Sequence, residues 1–156
     1  MKLRTSAVFT LAVVLLAGLG LGCGERPDEL GPYVQKLKEV DPYNRKLVEY
    51  RNFLKADETE KAATLRQTIE AYRADLETFG QTNDKVILAG HNALKRKLEE
   101  ALKKIVQPDF PTFMISAMKQ INLIESGYQA HIEALKKRWD DEGRTDEFTL
   151  AWPTGE

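Results

Sequence analysis

The chain of 156 residues has one cysteine, which excludes an internal disulfide and any thiolate cluster for zinc or iron-sulfur. It has no Gly-rich phosphate loop, no His-Glu-x-x-His helix and no Gly-x-Ser-x-Gly elbow, the motifs that would mark nucleotide binding, zinc proteolysis or serine hydrolysis. A charge excess is missing too. Lys and Arg number 23 against 24 Asp and Glu, so there is no basic field with which to hold nucleic acid. Six prolines and ten glycines are too few for a disordered chain. These absences leave one soluble domain with no assignable catalytic residue and no cofactor, and the expectation is a protein that is not an enzyme.

What is present is distributed unevenly. The first 23 residues hold 15 apolar side chains and two charges, Lys2 and Arg4. Residues 7–21 form an apolar run interrupted by Thr10, with Gly18, Gly20 and Gly22 at its end. A bilayer-spanning helix needs about 20 apolar residues, so a positive start, a shorter apolar stretch and small closing residues predict a cleaved signal peptide over residues 1–22. Its loss takes away two cations and no anion, leaving a net charge of about −3.

The lone cysteine falls where the apolar run stops and charge begins, at Glu25, Arg26, Asp28 and Glu29. The segment Leu19-Gly20-Leu21-Gly22-Cys23 resembles the lipobox of bacterial lipoproteins, with Gly20 where that family usually has leucine. The resemblance covers about 24 residues. It implies that Cys23 becomes an acylated N-terminus and that the protein is exported and lipid-anchored to a bacterial membrane, on its periplasmic or outer-surface face. Each buried acyl methylene contributes about 0.8 kcal/mol and two chains suffice for a stable anchor. The slightly acidic remainder would not be drawn onto anionic headgroups.

Residues 23–31 read as the lipidated cysteine and a polar tether, of which the eight residues after Cys23 reach at most about 28 Å. Residues 32–143 carry helical periodicity. Leu37, Val40, Tyr43, Leu47, Tyr50 and Leu54 form one stripe, with Pro42 marking either a kink or a fresh start. Ala62, Leu65, Ile69, Tyr72, Leu76 and Phe79 form a second, stopped by Gly80. Thr82, Asn83 or Asp84 caps a third along Ile87, His91, Leu94, Leu98, Ala101 and Ile105, ended by Pro108. The fourth opens after Pro111 and runs through Met114, Ala117, Ile121, Ile124, Tyr128, His131 and Leu135 to Gly143.

Asp57 and Glu60 have capping-box spacing, which predicts a break and helices over 32–55, 58–79, 84–106 and 110–140. The expected fold is all-α, an up-down-up-down four-helix bundle, with three long helices and a kinked first one as the alternative. In residues 144–156, Phe148, Leu150 and Trp152 alternate with smaller residues, the pattern of an extended tail laid on the bundle.

Both histidines lie on apolar stripes. Counting turns from Gly80, and placing the last loop near Asp109, puts His91 level with Tyr72 and Tyr128, with His131 one to two turns away. The expectation is a core histidine satisfied by a phenol, its pKa lowered by burial. Glu-x-x-His pairs, the usual bundle metal ligands, are missing, and so is a Cys-x-x-Cys-His haem attachment motif. The cationic runs at residues 95–97, 103–104 and 136–138 read as solvated faces that complement helix dipoles. Two functional readings follow. The first is a non-catalytic, membrane-anchored envelope lipoprotein acting as an interaction or scaffolding module with an envelope protein partner. The second is a periplasmic helical bundle that binds metal or haem through His91 and His131, with Tyr72 and Tyr128 in the same layer.

Overall fold

The computed structural model describes residues 28–154, so the signal segment and Cys23 lie outside the described residues. The fold is all-α. Its helices are α1 (Leu30–Glu39), α2 (Asp41–Lys55), α3 (Leu65–Glu77), α4 (Lys85–Lys104) and α5 (Phe113–Asp141), with a 3₁₀ turn at Thr59–Ala62. An extended tail follows, and no strand occurs among the described residues.

The expected segment 32–55 is two helices, because Pro42 sits in the first turn of α2 and lacks the amide that would continue α1. Val40 is the hinge between them, and Tyr43 N–H donates to its carbonyl at 3.0 Å. The expected helix over 58–79 begins only at Leu65. Asp57 has φ +60° and forms no cap, and the chain turns through the 3₁₀ segment first. That turn excludes a single helix across 32–79. Tyr50 Oη lies 2.9 Å from Thr68 Oγ1 and the Tyr43 and Tyr72 rings stack at 5.3 Å, so α2 and α3 run antiparallel.

The stops were better legible. Gly80 and Gly143 adopt φ +78° and +66°, left-handed values that favour glycine after a helix. Asp84 caps α4 by accepting from the amides of Val86 at 2.8 Å and Ile87 at 3.1 Å.

Nearly every residue of the four stripes is buried, Leu37, Leu47, Ile69, Leu76, Ile87, Leu94 and Ile121 completely. Tyr43 and His91 are half-buried, and Met114 is the exposed departure. It is 37% exposed, and Phe113, at 2%, takes the core position at the start of α5. Leu150 and Trp152 of the tail are buried, and the Trp152 ring packs edge-on against Tyr128 at 5.7 Å.

At one end the chain is clasped. The Asp28 carboxylate accepts from the amides of Leu30 and Gly31 and pairs with Arg144, whose guanidinium lies 4.5 Å over the Trp139 ring. Glu29 accepts from Thr82 Oγ1 and from the amides of Asn83 and Asp84, and Arg138 pairs with Asp84. Residues assigned to the tether therefore belong to the folded domain from Asp28 onward. Arg144 holds the Asp28 carboxyl below its ordinary range.

Candidate functional site

Three helices bring one polar cluster together. Tyr33 projects from the second turn of α1, one turn before the first stripe residue Leu37, and its ring is buried. Its hydroxyl lies 2.8 Å from His131 Nε2 on α5 and 3.2 Å from His91 Nδ1 on α4. Both imidazoles thus share one phenol, and that phenol is neither Tyr72 nor Tyr128. Extending the first stripe back by one turn would have found Tyr33.

A phenol has one proton to give, so the two bonds have opposite sense. In one arrangement Tyr33 donates to His91 and accepts from the N–H at His131 Nε2. In the other it donates to His131 and accepts from His91. Either way His131 Nδ1 has no partner, and it is buried. The first arrangement leaves a bare lone pair there. The second leaves an N–H, which is harder to strand, because orphaned buried donors are the rarer case. The chain of bonds then runs from His131 through Tyr33 to the half-buried His91.

The lone edge of His131 faces the α4 backbone. A Cβ added to Gly90 would fall 1.7 Å from Nδ1, so the ring occupies the space that any other residue at position 90 would fill. Burial, and secondarily the nearby His91, pushes the His131 pKa down to about 4. Burial and the Lys95 ammonium lower that of His91, while burial and the neighbouring Tyr128 oxygen raise the Tyr33 phenol. At neutral pH all three groups are uncharged.

Tyr72 and Tyr128 belong to a second polar centre. Asn44 is completely buried and its amide faces both hydroxyls without closing a hydrogen bond to either. Burial raises the pKa of both phenols. Asn44 escaped sequence reading because it flanks the apolar stripe of α2 and carries no periodic signal of its own. Among the described residues no group of three or more His, Cys, Asp or Glu side chains is placed to hold a metal ion.

Outside the cluster, α4 and α5 meet along small residues. Gly90 faces His131, and the Lys97 side chain lies across Gly127. The seam leaves an open groove of about 640 Å³ on the surface, walled by Ala89, Ala93, Ala130 and Ala134 with His131 in its floor. Lys85 and Lys97 are its charged lining residues, with no carboxylate among the side chains that line it. The chain matches no protein-family model, no curated protein and no solved structure.

Proposed function

We propose that the protein is a non-catalytic interaction module of a bacterial envelope, held at the membrane by lipid on Cys23. In this reading α1 and α2 act together as the first rod of an up-down-up-down four-helix bundle. The observation that carries it is the coincidence of the only cysteine with the end of the apolar run. Asp28, five residues past Cys23, already belongs to the clasp, so an acylated Cys23 would keep the basal end of the helices within about 18 Å of the bilayer. Paired contacts support the bundle. Arg66 reaches the Leu102 carbonyl while Lys95 pairs with Glu77, and Ser116 reaches Lys104 while Arg138 pairs with Asp84. The groups with chemical potential, Tyr33, His91 and His131, bond one another inside the fold, and what faces solvent is helix surface. Cell fractionation of Cys23→Ser tests the anchor. The variant should leave the membrane fraction, and retention of a signal-cleaved variant at the membrane overturns the reading.

One observation favours the second reading, a metal-binding bundle. Tyr33 Oη, His91 Nδ1 and His131 Nε2 converge at 2.8 and 3.2 Å, near the roughly 3.3 Å that separates ligands around a tetrahedral ion with bonds of about 2.0 Å. Lys95 close by disfavours a further positive charge. Elemental analysis of the purified protein decides between the two, since stoichiometric metal or a Soret band supports the second.

A further inference from the structure

We propose that the groove between α4 and α5 is the docking site for one amphipathic partner helix with carboxylates at both ends of an apolar stripe. This deepens the interaction-module reading and rests on it. Ala89, Ala130 and Ala134 are exposed, and their small side chains leave room for larger apolar groups from outside. An open, shallow groove suits a helix laid along it better than a small molecule, which requires enclosure over most of its surface.

Charge selects among helices. Lys85 and Lys97 are twelve residues apart on α4, about 18 Å along the axis, and no carboxylate lines the groove between them. A partner of three apolar turns with an acidic residue at each end matches that spacing. Gly90 lies near its midpoint, where the buried His131 ring closes the floor. The structure therefore describes a complementary helix by its ends and its length.

The probe is a synthetic 18-residue helix with leucines at helical spacing and glutamates eleven residues apart on the same face. Its control carries lysines in place of the glutamates. Binding is read by fluorescence anisotropy of a dye on the peptide. The protein is the full chain reconstituted in neutral phosphatidylcholine nanodiscs, with empty nanodiscs as blank. The glutamate peptide should bind about tenfold more tightly than the lysine peptide, with the difference shrinking at high salt. Lys85→Gln combined with Lys97→Gln should abolish that preference. Ala130→Gln, which fills the exposed groove without touching the core, should weaken binding at least tenfold. Equal binding of the two peptides or insensitivity to Ala130→Gln overturns the proposal. So does dimerisation of the chain that Ala130→Gln abolishes, which would make a second copy the occupant, or displacement of the peptide by a free fatty acid at its own groove affinity. The anchor is tested separately by fractionation of Cys23→Ser, so failure of the groove and failure of the membrane reading are distinguishable.

Discussion

The seam between α4 and α5 and the seam between α2 and α3 solve one packing problem by opposite means. Between α4 and α5 the backbones come close because Gly90 and Gly127 have no side chains, and neighbouring groups lie directly on the bare helix. Between α2 and α3 long side chains fill the space, with Tyr43 stacked on Tyr72 and Tyr50 bonded to Thr64 at 2.8 Å and Thr68 at 2.9 Å. At Gly90 a trapped ring lies on the bare helix with little room to move aside. A seam of side chains has rotamers with which to adjust, so the two should respond differently to the same small chemical change.

The largest effect should come from Gly90→Ala. The new methyl would overlap the His131 ring, which is buried and backed by Tyr33, so we expect a loss of about 3 kcal/mol in urea unfolding, at the upper end of overpacking costs. A loss below about 0.5 kcal/mol would mean that the ring has somewhere else to go and the backbone seam is not rigid.

Acid should weaken the same seam next. His131 is neutral in the fold with a pKa near 4, against 6.5 when free, so folding favours the unprotonated form. Its contribution is complete above pH 6.5 and is lost as the pH falls from 6.5 towards 4. By about pH 5 this amounts to about 2 kcal/mol, and His91, also lowered, acts in the same direction. The groups facing these rings are Tyr33 from α1 and Lys95 on α4, neither a carboxylate that would reverse the sign. Unfolding free energies at pH 7.5 and 5 should converge in His131→Gln apart from the share of His91. An unchanged slope in that variant would place the acid sensitivity elsewhere.

Smaller effects belong to the side-chain seam. Tyr50→Phe removes the partner of the buried Thr68 hydroxyl and should cost about 1 kcal/mol. Tyr72→Phe should cost less or stabilise slightly, because the Tyr72 hydroxyl is fully buried without a closed hydrogen bond. A larger loss for Tyr72→Phe than for Tyr50→Phe would invert that ranking.

Smallest of all should be Gly127→Ala. Its methyl meets the aliphatic stem of Lys97, whose charged end is free to swing, and alanine gains about 1 kcal/mol of helix propensity over glycine. Near-neutral stability for Gly127→Ala beside a clear loss for Gly90→Ala would distinguish contact with a flexible stem from contact with a trapped ring.

How much of this was legible follows from the same contrast. Stripes of large residues at spacings of three and four predicted most of the core, and Gly80, Gly143 and Asp84 marked ends because turn and cap chemistry is local. Gly90 left no trace, since periodicity records side chains and position 90 matters for the lack of one. The register of α4 on α5 was missed by about one turn. Gly90 opposite His131 and Asp84 opposite Arg138 centre that pair near Pro111 rather than Asp109. Turns at Phe110 and Phe113 shift the start of α5, and nothing in the residue pattern measures such a shift. Two misreadings share one cause. Pro42 broke the first helix and the Asp57 to Glu60 spacing did not make a cap, because backbone geometry at a junction answers to the packing of both neighbours.

The C-terminal tail has a spectroscopic consequence. The chain has two tryptophans, and both stand where the tail meets the helices. Trp139 donates from Nε1 to the Asp146 carbonyl at 3.0 Å and meets the Phe148 ring edge-on, while Trp152 is carried by the tail itself onto Tyr128. Neither indole lies at the Tyr33, His91 and His131 centre. Intrinsic fluorescence therefore reports whether the tail is seated, while far-ultraviolet circular dichroism reports the helices. A gap between the two signals on heating would measure how far the tail is a separate cooperative unit.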